Sequence, residues 1–125
     1  MSEQGQTKLD TSQTLQTLSR TLLARRTASP ETSYTARLMA KGPDAILKKI
    51  GEESAELIIA GKVGEPLPII CESADVLYHL MVLLAFHELS IEQVLQELAR
   101  REGLSGLAEK AARPEQTTAD RPAGD

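Results

Sequence analysis

Hydrophobic residues recur at intervals of three and four along most of the chain, which is the spacing of one face of an α-helix. The first such stretch is centred on Leu18, and the Asp-Thr-Ser run at 10–12 offers possible N-terminal caps. A break at 28–32 separates it from a short helix predicted over 33–40, which the Lys-Gly-Pro run at 41–43 should stop. No stretch alternates with period two, so no sheet is predicted.

Two longer helices follow. We expect Asp44 to cap the first, which runs to about Lys62. Glycine and proline residues at 64–68 break the pattern, and one of these prolines can occupy a first helical turn, where its missing N–H costs nothing. The second long helix then runs to about Glu88.

A last helix is predicted from a capping box, in which Ser90 is followed by Gln93. Gly103 should end this helix, and a short, weak helix is expected over 104–112. The polar ends, 1–10 and 113–125, lack apolar periodicity and are predicted to be disordered. This leaves one all-α domain over 11–112.

Short connections between long helices favour antiparallel neighbours, so the predicted fold is an antiparallel bundle of four to five helices. Beyond Asp75 the sequence is apolar nearly all round its helix, from Val76 to Phe86. Such a helix needs cover on every side. We expect a second subunit to complete that cover, most simply in a two-fold dimer. The alternative is enclosure within the monomer by the first and last helices.

Composition narrows the classes of function. The net charge of -4 argues against a nucleic-acid partner, and the single cysteine excludes an intramolecular disulfide and a cysteine-rich zinc site. No secretory signal is recognisable, and the apolar run Val76–Phe86 is too short to span a membrane. We therefore expect a cytoplasmic protein without a membrane partner.

Four carboxylates stand in two similar frames, Glu53-Ser-Ala-Glu56 and Glu72-Ser-Ala-Asp75, both within apolar helical sequence. Glu53 falls inside the apolar stripe of its helix. A carboxylate facing a core is costly unless it is paired or binds a cation. One frame alone usually marks a solvated helix face. Two on neighbouring helices favour a shared Mg²⁺ site, because Mg²⁺ prefers oxygen ligands and phosphate-bearing substrates.

Other residues near these frames have candidate roles. His79 follows Asp75 by four residues, which permits metal ligation, but we favour a partner that orients a carboxylate. Several basic residues lie one turn before the acidic frame or near a helix start, where they can form surface ion pairs or bind phosphate. The candidate phosphate-binding residues are Arg37, Lys41, Lys48 and Lys49.

Three runs together resemble a known family: SYTARLMAKG at 33–42, KKIGEESAE at 48–56 and ESADVLYH at 72–79. They are similar to phosphoribosyl-ATP pyrophosphohydrolase, the second enzyme of histidine biosynthesis, over about residues 12–112. The acidic part alone is shared with the wider all-α nucleoside triphosphate pyrophosphohydrolase superfamily, which includes MazG-like enzymes. The first run and the ADVLYH segment narrow the resemblance to the histidine pathway.

The resemblance implies Mg²⁺-dependent hydrolysis of the α–β phosphoanhydride of 1-(5-phosphoribosyl)-ATP by a dimer or higher oligomer. It implies phosphate contacts for Lys41, Lys48 and Lys49, a metal-binding set of carboxylates, and catalytic roles for Glu52 and Glu53, with Glu52 as a ligand or as a base toward water. The implied metal ligands are Glu53, Glu56, Glu72 and Asp75.

Two alternatives remain open. One is a house-cleaning pyrophosphohydrolase that acts on free (deoxy)nucleoside triphosphates. The other is a non-catalytic helical interaction module, which would leave Glu53 and Asp75 exposed to solvent.

Overall fold

The computed structural model describes residues 8–102, and within this range the chain forms five helices and no strand. The predicted all-α class is confirmed. The helices are α1 (Thr14–Arg25), α2 (Tyr34–Ala40), α3 (Pro43–Val63), α4 (Pro66–Phe86) and α5 (Ile91–Arg101). The predicted tail over 113–125, the weak helix over 104–112, the helix end at Gly103 and most of the predicted extension over 1–10 lie outside the described residues.

The start of α1 differs from the prediction. Gln13 precedes the helix, and its side chain makes no capping hydrogen bond. Asp10 Oδ1 instead accepts a hydrogen bond of 2.9 Å from the backbone N–H of Ser12. Short polar side chains readily form such local turns, and these compete with capping. The prediction of a cap at 10–12 is therefore wrong.

The short helix α2 is confirmed, and Ser33 caps it. The Ser33 hydroxyl accepts a hydrogen bond of 3.1 Å from the backbone N–H of Ala36. Four of the seven residues of α2 are buried, so this short helix is anchored by its packing. They are Thr35, Ala36, Leu38 and Met39.

The junction of α2 and α3 depends on glycine and proline. Gly42 has φ +93° and ψ 179°, a conformation that is essentially reserved for glycine. Pro43 then occupies the first helical position, where no N–H is required. Asp44 lies in the first turn, so the prediction that Asp44 caps the helix is wrong by two positions. At the other end, Gly64 closes α3 in the left-handed conformation.

The boundaries of α4 and the start of α5 lie close to the predicted positions. Pro66 is the first residue of α4, as expected for a proline in a first turn. The helix ends at Phe86, two residues before the predicted end at Glu88, which has φ +59°. The backbone N–H of Ser90 donates to Gln93 Oε1 over 2.9 Å, which is one of the two bonds of the predicted capping box.

The core lies where α1, α2 and α3 pack on α4. The most extensive contact joins α3 and α4, and the two-residue connection between them makes the pair an antiparallel hairpin. Four large side chains are less than 2% exposed: Leu22, Ile46, Met81 and Val82. This compact unit ends at Gln93, and the described residues 94–102 belong to a second one. Within α5, Glu97 holds Arg100 and Arg101 through hydrogen bonds of 2.8–2.9 Å.

One face of α4 is apolar yet exposed. Leu67 is 69% exposed, Ile70 63% and Leu77 40%, and exposed Ala74 lies between them at spacings of three and four. Residues 8–102 therefore leave this face of the helix without full cover. We call Leu67, Ile70, Ala74 and Leu77 the α4 stripe.

Among the described residues, α4 is also the one helix that could cross a membrane by length and composition. The run Val76–Phe86 is too short to span a membrane, but it belongs to a helix of 21 residues, so length does not exclude a span. The buried core helix of a soluble protein meets the same criterion. Glu72, Asp75 and His79 also lie in the middle of this helix, and ionisable groups there are expensive in lipid.

Candidate metal and phosphate site

Three carboxylates converge at the contact between α3 and α4. Glu53 and Glu56 lie one turn apart on α3, and Glu72 faces them from α4. One oxygen from each side chain lies within 4.8 Å of the other two. We call these three residues the carboxylate cluster. The antiparallel hairpin explains the convergence, because it opposes two frames that are separated by fifteen residues in the sequence.

Glu53 is the most buried member. It is 8% exposed. Lys49 lies one turn earlier on α3, and its Nζ is 3.3 Å from Glu53 Oε1. That hydrogen bond is the main cause that raises the pKa of Lys49. His79 Nδ1 lies 4.0 Å from the same oxygen, which is too long for a hydrogen bond. The burial of Glu53 contradicts the exposure expected of an interaction module.

Glu72 has a buried carboxylate oxygen without a hydrogen-bond donor among the described residues. Its Oε2 is buried, and no N–H or O–H of the described residues donates to it. Burial raises the pKa of Glu72 most, followed by a hydrogen bond shared with Glu56 and by the charges of Glu56, Asp75 and Glu53. A buried oxygen among other carboxylate oxygens is a set of ligands suited to a hard divalent cation. The residues therefore fit Mg²⁺.

The structure places two other predicted acidic residues outside this cluster. Asp75 is exposed and lies one turn beyond Glu72, whose pKa its charge helps to raise. Glu52 is exposed and precedes Glu53 by one position, so it points about 100° away around the helix. Asp75 is thus one helical turn from Glu72, and Glu52 is one position from Glu53, but neither joins the three converging oxygens.

His79 bonds to partners that the sequence did not suggest. Its Nδ1 donates to the backbone carbonyl of Asp75 over 3.0 Å, and its Nε2 lies 3.2 Å from the hydroxyl of Tyr34. The rings of Tyr34 and Tyr78 both meet the imidazole edge to face. The hydroxyls of Thr35 and Tyr78 lie 2.6 Å apart. These four side chains belong to the two sequence runs that narrowed the family resemblance. That resemblance was the one signal in the sequence that could have pointed to them.

Among the predicted phosphate-binding residues, Lys49 contacts the carboxylate cluster. Lys41 and Lys48 are exposed, and Arg37 Nε donates to the carbonyl of Pro30 over 3.3 Å. The side chains of Lys41 and Lys48 thus face solvent near the start of α3.

The profile of the family Phosphoribosyl-ATP pyrophosphohydrolase matches residues 15–102 of the chain. The chain belongs to this family. It is 61% identical over 105 residues to the phosphoribosyl-ATP pyrophosphatase of Dechloromonas aromatica (strain RCB), covering 84% of this chain and 97% of that protein. It is 50% identical over 101 residues to the enzyme of the same name from Neisseria gonorrhoeae (strain ATCC 700825 / FA 1090), covering 81% and 94%.

A cavity of about 310 Å³ adjoins the carboxylate cluster in this phosphoribosyl-ATP pyrophosphohydrolase family member. Glu56 and Glu72 form its acidic wall, and the remaining lining is apolar. The apolar lining consists of Ile59, Ala60, Val63 and Pro68. An apolar wall beside a few polar groups is typical of a small-molecule site. Sequence reasoning missed these four residues because apolar residues near helix ends carry no distinctive pattern.

Proposed function

We propose that this chain hydrolyses the α–β phosphoanhydride of 1-(5-phosphoribosyl)-ATP, giving 1-(5-phosphoribosyl)-AMP and pyrophosphate in the second step of histidine biosynthesis. The main support is the carboxylate cluster, with three oxygens within 4.8 Å of one another, in a chain of this family. The names of the relatives supply the substrate class.

Mg²⁺ is the proposed cofactor, with Glu53, Glu56 and Glu72 as ligands and Asp75 as a further ligand at the edge of the cluster. Glu72 supports this assignment, since its carboxylate converges with those of Glu53 and Glu56 and its buried Oε2 receives no hydrogen bond from the described residues. When bound, the ion supplies electrostatic stabilisation of the triphosphate and activation of water. The protein holds the ligands in place through two helices that are tightly packed on each other.

Glu52 is the proposed proton acceptor. It is exposed beside the cluster and is fixed to the same helix as Glu53, so it can meet a water molecule that approaches the phosphate. Its separation from the three converging oxygens leaves its carboxylate available to accept the proton as the P–O bond forms. Glu53, held by Lys49 at 3.3 Å, fixes the geometry against which that water is aligned.

The lysines supply positive charge for the substrate. In the free protein Lys49 is paired with Glu53, which offsets its charge. A divalent cation held by Glu53 would share the charge of that carboxylate, and the ammonium of Lys49 could then bind a phosphate oxygen as well. Exposed Lys48 and Lys41, with Arg37 on α2, would extend this positive region along the phosphate chain.

We also propose that the protein is a cytoplasmic homodimer or higher oligomer. The α4 stripe repeats at spacings of three and four, as in the seams along which helices pair. Its exposed Leu67 and Ile70 would gain cover from a second copy of the chain. A biosynthetic enzyme for a soluble nucleotide needs neither nucleic acid nor membrane as a partner.

Pyrophosphate release from purified protein tests the proposal. With Mg²⁺, phosphoribosyl-ATP should be hydrolysed, and Glu53→Gln and Glu52→Gln should each abolish turnover while retaining the helical circular dichroism spectrum. Free dCTP and dUTP are the control substrates. Release of pyrophosphate from these nucleotides, but not from phosphoribosyl-ATP, would replace the proposal with a house-cleaning pyrophosphohydrolase.

A further inference from the structure

One face of α3 changes its chemical character from the start of the helix to the end. Lys49 is followed on this face by Glu53 and Glu56, at spacings of four and three that keep side chains on one side of a helix. Ala60 and Val63 continue the same series. The helical rise of about 1.5 Å per residue gives this face a length of about 21 Å. A cation, two carboxylates and aliphatic side chains therefore follow one another along α3.

The aliphatic end of this face forms a wall of the cavity beside the carboxylate cluster. Glu56 and Glu72 belong both to the lining of the cavity and to the carboxylate cluster, so the cavity adjoins the proposed metal site directly. Ile59 is 64% exposed and Val63 is 66% exposed, so both side chains can contact a ligand. The cavity volume of about 310 Å³ lies at the lower end of the range of small-molecule sites, about 300–1,000 Å³.

The lining of this cavity does not suit a phosphate group. Its two charged side chains are both carboxylates, and no Lys, Arg or His of the described residues lines it. A phosphate there would be repelled by like charge and would face apolar surface that offers it no hydrogen bond. The lysines lie instead toward the start of α3, at positions 41, 48 and 49. The two ends of the face thus fit different parts of a nucleotide.

We propose that Ile59 and Val63 bind the adenine and ribose of the substrate, while its β- and γ-phosphates extend toward Lys49. This inference rests on the proposed function and adds to it a direction of the substrate along α3. A cation held at the α–β bond by the carboxylate cluster has the nucleoside on one side and the outer phosphates on the other, which is the order of chemistry on α3. The phosphoribosyl group carries a further phosphate, so the same carboxylates disfavour it as the occupant of the cavity.

The test compares Ile59→Ala and Val63→Ala with Ile58→Ala. Ile58 is 72% exposed on the same helix but does not line the cavity, which makes it a matched control. Each change shortens an exposed side chain to alanine, the residue of highest helix propensity, so α3 should be retained. Steady-state hydrolysis of phosphoribosyl-ATP with Mg²⁺ gives KM and kcat. Inhibition by AMP and by pyrophosphate separates binding of the nucleoside from binding of the phosphates.

We expect Ile59→Ala and Val63→Ala each to raise KM about tenfold and to leave kcat within about twofold of the wild type. An apolar contact with a part of the substrate that does not react is made equally before and in the transition state. The inhibition constant of AMP should rise by about the same factor, whereas that of pyrophosphate, which has no nucleoside, should change by less than about twofold. Ile58→Ala should keep all of these constants within about twofold of the wild type.

Equal rises in the inhibition constants of AMP and pyrophosphate, or an Ile58→Ala protein impaired as much as Ile59→Ala, would overturn the proposal. Unchanged KM and AMP inhibition in Ile59→Ala and Val63→Ala would overturn it as well. Weaker self-association of these two variants in sedimentation would then assign the wall to an interface between copies of the chain. A wild-type protein that releases no pyrophosphate from phosphoribosyl-ATP would instead refute the proposed function, and this result appears before any variant is compared.

Discussion

The charge of Glu56 should have opposite effects on stability without and with Mg²⁺. Without the ion, Glu56 faces two other carboxylates at 4.8 Å or less and repels them. With the ion, the same carboxylate becomes part of the binding site. We therefore expect Glu56→Gln to stabilise the free protein and to weaken its stabilisation by Mg²⁺.

The magnitudes follow from the geometry. Two unit charges 4.8 Å apart repel by about 0.9 kcal/mol in bulk water, which is the lower limit for exposed Glu56 and buried Glu53. Free Mg²⁺ at about ten times its dissociation constant stabilises the folded state by about 1.4 kcal/mol. For a domain of this size 1 kcal/mol corresponds to about 4–8 °C in Tm. Both effects are therefore measurable.

The assay is thermal unfolding followed by circular dichroism, with and without MgCl₂, at an ionic strength held constant with NaCl. The Tm of Glu56→Gln should exceed that of the wild type in a chelator and fall below it in Mg²⁺. Glu52→Gln is the matched control, because Glu52 is exposed on the same helix but stands outside the carboxylate cluster. It should keep the full Mg²⁺-induced rise. A Glu56→Gln protein that rises as much as the wild type would refute the assignment of Glu56 as a ligand.

Three further predictions concern pH, the core and assembly. The pKa of Glu72 is raised above its ordinary 4.5. As pH falls through that raised value toward 4.5, the folded protein takes up a proton at Glu72 before the unfolded chain does. Calorimetry should therefore show the affinity for Mg²⁺ falling, because the proton competes with the ion. Denaturant unfolding should show the Mg²⁺-free protein gaining stability over the same range. Glu72→Gln should remove this gain. Ile46→Ala, at a site that is 0% exposed, should cost about 2–5 kcal/mol in urea unfolding. A loss under 1 kcal/mol would contradict the packing described. Ile70, 63% exposed in one chain, would contribute about 1–2 kcal/mol when covered, twice in a two-fold dimer. Ile70→Asp should then weaken dimerisation at least tenfold by sedimentation, and an unchanged dissociation constant would exclude the α4 stripe as the interface.

The helices could be predicted because the residues that start and end them act locally. Ser33, Gly64 and Pro66 act within a few residues of their own position, and each stands where the sequence indicated. The caps proposed at Asp10 and Asp44 failed, because a short acidic side chain can bond within a turn or lie inside a first helical turn equally well.

The candidate site was predictable in its composition and less so in its geometry. Periodicity placed Glu53 on an apolar face, and it is indeed buried. The rotation of α4 against α3 decides whether Glu72 or Asp75 joins the converging oxygens, and side-chain packing sets that rotation, not spacing. The bond between Tyr34 and His79 spans 45 positions, so no local pattern reports it.

The short α3–α4 connection has a consequence for how this chemistry can be inherited. All three members of the carboxylate cluster lie within a stretch of twenty residues that turns back on itself once, so these three carboxylates are inherited together as one segment. A duplication or recombination that moved this stretch would carry the ion-binding capacity with it. The proposed phosphate contacts from α2 lie outside this stretch, so they would have to be acquired separately.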